Sequence, residues 1–143
     1  MWNLFSLVLL TAGLVSFAVF HFVPGTNTGA GWEIWVDLTE VLRRPELLKG
    51  PEASVIVASF LMISFLIVAS PFLTGMLRKS RPCWWMAATM SALATIAFTL
   101  VLAGPHGPST FRFGDWALCA APLFNLLGLL MIRGSRAPSG MSS

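Results

Sequence analysis

Charged side chains are scarce in this chain and absent from most of its length. Only 10% of the residues are Asp, Glu, Lys or Arg, whereas 56% are hydrophobic and the mean hydropathy is +0.78. A water-soluble domain carries about a quarter charged residues, so this composition excludes an ordinary soluble fold. The basic residues are also too few and too scattered to follow a phosphate backbone, which argues against a nucleic-acid partner despite a pI near 9.5.

The uncharged stretches are four long apolar runs, at residues 4–23, 53–77, 83–103 and 116–132. Each is close to the roughly 20 apolar residues that a helix needs to cross a ~30 Å hydrocarbon layer. They predict an all-α integral membrane fold, a bundle of four transmembrane helices in a single domain over residues 1–143, ending in a short polar tail at 133–143. The first run lacks a basic leader and is longer than a signal-peptide core, so we interpret it as a retained span.

Catalytic and cofactor motifs are also missing. The sequence has no phosphate-binding loop, nucleophile elbow, zinc-protease motif or dinucleotide-binding glycine pattern. No Asp, Glu, Lys or Arg lies inside an apolar run, which disfavours a proton pump, an ion-coupled carrier and a voltage sensor. Cys83 and Cys119 lie near the starts of consecutive runs. Antiparallel runs would place them near opposite faces of the bilayer, too far apart for a disulfide. We therefore expect no enzymatic activity and no bound cofactor or metal.

Basic residues cluster at the short connection between the second and third runs. Arg78, Lys79 and Arg81 lie there, and Arg133 and Arg136 follow the fourth run, while all six acids lie on the other side of the predicted bundle. Lys and Arg are enriched in cytoplasmic segments close to membrane spans. This density predicts a multi-pass protein of the cell membrane, with both termini in the cytoplasm and residues 24–52 outside.

One amphipathic segment, residues 32–49, lies between the first two runs, and its polar and apolar residues occupy opposite faces at helical spacing. The polar stripe comprises Glu33, Asp37, Glu40 and Arg44, and the apolar face Trp35, Leu38, Val41 and Leu42. Such a helix is expected to lie in the membrane interface, either as a cap on the bundle or as a docking surface for a partner or lipid. Tryptophan favours headgroup depth, so the candidate interfacial residues are Trp32, Trp35, Trp84, Trp85 and Trp116.

Small and hydroxyl-bearing residues mark the helix faces that are expected to pack. Lipid is as apolar as leucine, so membrane helices associate through close contact and interhelical hydrogen bonds. The candidate packing residues in the third and fourth runs are Ser91, Thr95, Thr99, Ala121, Asn125 and Gly128. We predict that these two faces meet and that Asn125 bonds a hydroxyl of the third run, because an unpaired buried amide is costly. Pro71 and Pro122 each remove a backbone donor and are expected to kink their helices.

The two histidines are the candidate ligands. His21 lies near the outer end of the first run, and His106 lies in the connection before the fourth, on the same predicted side. Imidazole binds metals and haem, but a structural metal site usually needs four donors, and no third donor follows at regular spacing. The alternative is an interfacial His21 and a solvated His106. Asp115 is expected to cap the fourth helix.

Three functional hypotheses follow. The leading one is a non-enzymatic assembly or accessory subunit that contacts the lipid bilayer and either a membrane-protein partner or a second copy of itself. The second is an oligomeric pore or small-solute conductor, with Asn125 and the hydroxyls of the third run lining a polar path. The third is a redox accessory subunit with His21 and His106 as ligands.

Overall fold

The structure, a computed structural model, describes residues 2–24, 31–44, 46, 51–102 and 112–134. Within these ranges there are six helices: α1 (Trp2–Phe22), α2 (Gly31–Arg43), α3 (Pro51–Ala69), α4 (Thr74–Lys79), α5 (Arg81–Leu102) and α6 (Phe113–Gly134). The prediction of an all-helical chain is confirmed for this part of the sequence. His106, Arg136 and most of the predicted polar tail lie outside the described residues.

Three of the helices are long and apolar enough to cross a membrane. The qualifying stretches are Leu4–Phe22, Arg81–Leu100 and Phe113–Ile132, of 19, 20 and 20 residues. A helix of this length is about 30 Å long, which matches the thickness of the hydrocarbon core. The first, third and fourth apolar runs are therefore confirmed as helices of membrane-spanning length.

The second apolar run is divided into two helices. Residues 70–73 separate α3 from α4, so the prediction of one helical run across 53–77 is wrong. Pro71 explains the break, because it has no amide hydrogen for the carbonyl one turn back and its ring clashes there. Both the amide and the hydroxyl of Ser70 bond the Leu66 carbonyl, at 2.9 and 2.5 Å, and so close the end of α3.

A single residue, Ser80, separates α4 from α5. Its amide donates to the Met76 carbonyl at 2.8 Å, and its hydroxyl accepts from the Cys83 amide at 3.5 Å. Serine is a favoured residue before a helix, and Pro82 is tolerated in the first turn because amides there have no helical acceptor. The basic connection between the second and third runs is therefore mostly helical.

α6 packs most extensively against α1, and the two helices are antiparallel. Ser6, near the start of α1, donates to the Gly128 carbonyl near the end of α6 at 3.0 Å. Gly13, farther along α1, lies against the Ala121 carbonyl. The start of α1 therefore lies beside the end of α6, as antiparallel packing requires.

α5 is antiparallel to α6 as well. The Trp84 indole, at the start of α5, donates to the Leu129 carbonyl at 2.8 Å. Two turns farther along α5, Ser91 accepts a hydrogen bond from Asn125, which lies one turn before Leu129 in α6. α1 and α5 therefore run in the same direction, on either side of α6.

Two hydrophobic clusters form the core. The Leu10 cluster joins α1, α4, α5 and α6 through Leu10, Leu77, Trp84, Ala87, Ala88, Leu129 and Ile132. The Phe20 cluster joins α1, α3 and α6 through Phe17, Phe20, Ile67, Ala117 and Ala121, with Ile34 and Trp35 of α2 packed against it. α2 and the basic α4–α5 connection consequently lie at opposite ends of the molecule.

Two residues shape α6. The Asp115 carboxylate, in the first turn, accepts a hydrogen bond from the Arg112 amide at 2.9 Å, and an acid at this position also complements the helix dipole. Pro122 is buried inside α6, and the helix continues through it.

Candidate functional site

His21 and Trp35 join α1 to α2. The Trp35 indole donates to Nε2 of His21 at 2.5 Å, and Nδ1 of His21 lies 2.7 Å from the Phe17 carbonyl. An indole N–H can only donate, so Nε2 is the acceptor and the ring carries its proton on Nδ1. That proton bonds the carbonyl one turn back in α1. Both ring nitrogens of His21 therefore have partners within the chain.

Aromatic rings surround this hydrogen bond. The His21 ring lies nearly parallel to Trp35, at 22° with centroids 6.0 Å apart, and meets Phe17 edge-on at 4.5 Å. Phe60 of α3 packs against Trp35, with ring centroids 5.5 Å apart. Such aromatic pairs add to the stabilisation that area burial provides. α2 is thus held to both α1 and α3.

Gly31 allows α2 to approach α1 closely. A Cβ at this position would lie 2.6 Å from the ring of Phe20, which is itself buried. The inward face of α2 comprises Gly31, Ile34, Trp35 and Leu38. These residues fall at the spacing of one helical face. Leu42, which the sequence placed on this face, is instead 58% exposed.

The opposite side of α2, which we name the outward face, carries three acids, and the exposed Arg43 and Arg44 follow them at the end of the helix. Its exposed residues include Trp32, Glu33, Val36, Asp37 and Glu40. Glu40 also lies 3.9 Å from Arg44, but both side chains are exposed and such a surface pair contributes little to stability. The two tryptophans of this segment therefore differ: Trp35 is packed into the molecule and Trp32 is 53% exposed.

The bonds of His21 bear on the hypothesis of a metal or haem ligand. A ligand on either ring nitrogen would replace the bond to Trp35 or the bond to Phe17. Over the described ranges, no group of three or more His, Cys, Asp or Glu side chains is arranged to hold a metal ion. His106 lies outside those ranges. The geometry at His21 gives the redox hypothesis no support.

Asn125 is fully buried and bonds α5. Its Nδ2 donates to Oγ of Ser91 at 2.9 Å, while its Oδ1 has no hydrogen-bond donor in the part of the chain that the structure describes. Thr95 and Thr99, the other hydroxyls of the same helix, donate to carbonyls one turn back in α5, each at 2.8 Å. The structure thus brings Asn125 to Ser91 and to neither threonine.

The position of Asn125 also bears on the pore hypothesis. Its exposed fraction is 0%. It lies between α1 and α5 within one protomer: its side chain bonds Ser91 of α5, and its backbone nitrogen is close to Gly13 of α1. A pore between copies of the chain would be lined by outward-facing side chains. Asn125 does not face outward in this way, whereas Thr99, another residue of the hypothesis, is exposed.

The small residues of α6 divide between two neighbours. Asn125 reaches α5, whereas Ala121 and Gly128 pack against α1. A Cβ added to Gly128 would lie 2.7 Å from the Leu10 side chain, and one added to Gly13 would lie 3.0 Å from the Ala121 carbonyl oxygen. The expectation that the whole face meets the third run is corrected accordingly. Sequence reasoning did not identify Ser6 and Gly13. They lie on the buried face of α1 with Leu10, but α1 is apolar on all sides, so no contrast in the sequence marks that face.

The other three candidate tryptophans, Trp84, Trp85 and Trp116, lie at opposite ends of the α5–α6 pair. Trp84 is buried with its indole bonded to α6, and its neighbour Trp85 is 49% exposed with ring centroids 5.0 Å apart. Trp116 is exposed and lines a small hollow of about 180 Å³ beside Thr95 and Thr99. Trp84 is therefore a packing residue, while Trp85 and Trp116 face outward.

Comparison with known proteins gives no relative for this chain. No family model, no curated protein and no solved structure matches it. Function is therefore inferred from the contacts described above.

Proposed function

We propose that this chain is a four-span protein of the cell membrane that serves as a non-enzymatic assembly or accessory subunit, with the outward face of α2 as its partner-binding surface. The observation that carries the proposal is the hydrogen bond from Trp35 to His21, with the aromatic packing around it. It holds α2 in one orientation, so that Glu33, Asp37 and Glu40 form a fixed surface. A preorganised surface loses less conformational entropy on binding than a free helix does.

Helix direction supports a fourth crossing. α1 and α5 run the same way, so the chain between them has to return to the end at which α1 starts. α3 and α4 lie along this route, since Ile67 belongs to the Phe20 cluster and Leu77 to the Leu10 cluster. Together they make the return crossing: α3 is 19 residues long, and its stretch Ser54–Ala69 is apolar.

The charge distribution supports a cytoplasmic position for both termini. Arg78, Lys79 and Arg81 lie at the end where α1 begins and α6 ends, and no acid accompanies them. Cytoplasmic segments next to membrane spans are enriched in Lys and Arg. α2 then lies on the outer surface, with Trp32 at headgroup depth.

The acids of the outward face are complementary in charge to a membrane protein with a basic outer surface. Residues 32–40 of the outward face carry three acids and no Lys or Arg, so contact between these parts of two copies would bring carboxylates together, and like charges oppose such an interface. Lys or Arg side chains of a different protein would complement Glu33, Asp37 and Glu40. We therefore favour a hetero-oligomeric partner over a second copy of the chain.

Site-specific photo-crosslinking in native membranes tests the proposal. A photoreactive amino acid at Val36, in the middle of the outward face, is expected to give an adduct with one distinct membrane protein, identified by mass. Asp37→Arg is expected to reduce this adduct about tenfold, because it introduces a like charge opposite the basic partner. Trp35→Phe is expected to reduce it too, since α2 loses its bond to His21.

Matched controls come from the other end of the molecule. Lys79→Glu and Trp85→Phe make the same kinds of change away from α2, and both are expected to leave the adduct unchanged. An adduct of twice the protomer mass would identify self-association and contradict the chosen partner. An adduct that is insensitive to Asp37→Arg would contradict the binding surface.

A further inference from the structure

We propose that an open groove between α5 and α6 binds a phospholipid with an anionic headgroup. The groove lies at the basic end of the molecule, opposite α2, and has a volume of about 610 Å³. This volume falls within the ~300–1,000 Å³ range of small-molecule sites. The inference rests on the membrane insertion proposed above, but not on any partner of α2.

The groove has the shape and polarity of an acyl-chain site. Ala88 and Ala92, one turn apart on α5, leave a hollow beside the larger Trp85, and Leu126 and Leu130 of α6 form the facing wall. Apart from one threonine its lining side chains are apolar or indole groups, and it is open to the side. In a bilayer that opening faces the hydrocarbon, from which a lipid chain enters without passing through water.

The end of the groove nearest the α4–α5 connection is basic. Arg81 precedes Trp85 by four residues and Ala88 by seven, so the helix places all three on one face. α4 ends beside the groove as well, because Leu77 packs with the groove residue Trp84. Lys79 and Arg81 are both exposed. The sequence has no Asp or Glu between residues 53 and 114 or after Asp115, so no acidic side chain from these stretches competes for an anion at this end.

An anionic phospholipid satisfies the charge and the apolar groove together. Arg81 and Ala92 are about 16 Å apart along the helix axis, because each residue adds ~1.5 Å. A headgroup phosphate at Arg81 therefore leaves the acyl chain alongside Ala88 and Ala92. Trp85, one turn from Arg81, marks the headgroup boundary where indole rings are favoured. A transmembrane helix of another protein would fill the groove but would not complement the exposed cations.

Native mass spectrometry of the detergent-purified full chain, with added phosphatidylglycerol or phosphatidylcholine, tests the proposal. One phosphatidylglycerol is expected to bind per protomer, with phosphatidylcholine much weaker. The double variant Lys79→Gln/Arg81→Gln is expected to weaken phosphatidylglycerol binding about 25-fold at low salt, at about fivefold per cation, and to leave phosphatidylcholine unaffected. Ala92→Phe, which fills the groove, is expected to weaken both lipids.

Each variant has a matched control. Arg43→Gln removes an exposed cation from α2, and Ala97→Phe adds the same ring at an exposed position of α5 that does not line the groove. Both controls are expected to bind phosphatidylglycerol like the original chain. Equal binding of the two lipids, or equal loss in Ala92→Phe and Ala97→Phe, would overturn the proposal. So would a dimer that Ala92→Phe dissociates, because a second copy would then occupy the groove.

Alkaline carbonate extraction of membranes separates this proposal from the previous one. A chain that resists extraction but shows no lipid preference contradicts the lipid site alone. A chain that carbonate releases contradicts membrane insertion, and with it both proposals.

Discussion

Polar side chains connect the helices of this molecule at the scale of single residues. Ser6, Trp35, Trp84 and Asn125 each bond a group on another helix. An unsatisfied polar group in hydrocarbon costs several kcal/mol, so each bond selects which helices are neighbours. The net contribution of such a bond to stability averages only ~0.6 kcal/mol. These residues therefore determine the register of the helices more than their stability.

Asn125→Leu is expected to change the free energy of unfolding by less than about 1 kcal/mol. Leucine has a similar size and removes the bond to Ser91, but it also removes an Oδ1 atom that lacks a donor over the described residues. Asn125→Asp is expected to cost about 3 kcal/mol, because it places a carboxylate deep in the membrane. Reversible unfolding in mixed micelles with increasing SDS measures both values.

A double-mutant cycle isolates the Asn125–Ser91 pair. Combined with Ser91→Ala, Asn125→Leu is expected to give a coupling energy of about 0.6 kcal/mol. A coupling energy above about 2 kcal/mol would contradict this account, because it would require a larger polar network around the pair.

The contacts of some single residues can be predicted from the sequence, and those of others cannot. Asn125 is conspicuous because it is the one amide deep in an apolar run, and its bond to a hydroxyl of the third run follows from the cost of burying it unpaired. Trp35 fits an interfacial position by composition alone. Its bond to His21 depends on how α2 folds back onto α1, which no local pattern encodes. Ser6 and Gly13 are single small residues whose importance arises only from their contact with α6.

Close contact between α1 and α6 is the main packing feature at the scale of helices. Gly13 and Gly128 both lie where a methyl group would meet the facing helix, at 3.0 Å from a backbone oxygen of α6 and 2.7 Å from a side chain of α1. Membrane helices gain little from burial of apolar surface against each other, so their association depends on such approach. The glycines permit it.

Gly13→Ala and Gly128→Ala are each expected to lower the free energy of unfolding by about 1–3 kcal/mol, because the added methyl group forces α1 and α6 apart. Gly75→Ala is the matched control. Apart from its own helix, no atom of the described residues lies within 4 Å of a Cβ at Gly75, and alanine favours a helix over glycine by up to about 1 kcal/mol. The SDS titration should therefore separate the three variants, and equal effects would contradict the packing described for α1 and α6.

The helices themselves were easier to predict than which helices pack together or where a helix is interrupted. Runs of about 20 apolar residues identified α1, α5 and α6, since length and composition alone determine whether a helix can span. Pro71 indicated a kink, but the four non-helical residues around it depend on how Ser70 satisfies the freed carbonyls. The small-residue stripe of α6 showed which face packs. It could not show that α1 shares this face with α5, because periodicity carries no information about the neighbour.

The whole molecule has two dissimilar ends. One carries α2 with its acidic outward face, and the other carries the cationic α4–α5 connection. This asymmetry is what orients a protein in a bilayer whose cytoplasmic leaflet is negatively charged. The two proposed binding surfaces accordingly differ in charge and lie on opposite sides.

Cysteine accessibility tests the proposed topology of the intact protein. In a chain with Cys83→Ala and Cys119→Ala, single cysteines introduced by Lys79→Cys and Asp37→Cys are expected to react with a membrane-impermeant maleimide from opposite sides. Arg112→Cys is expected to behave like Asp37→Cys, because α6 starts where α1 ends. Labelling at positions 79 and 37 from the same side would contradict the fourth crossing.

The break at Pro71 has a consequence for biosynthesis. α3 spans 19 residues and is apolar throughout Ser54–Ala69, so it can partition into lipid on its own. The six residues of α4 end in Arg78 and Lys79, and only Ser80 separates α4 from α5. A chain truncated after Lys79 and inserted into membranes should therefore protect residues 54–69 from protease while the basic end of α4 stays open.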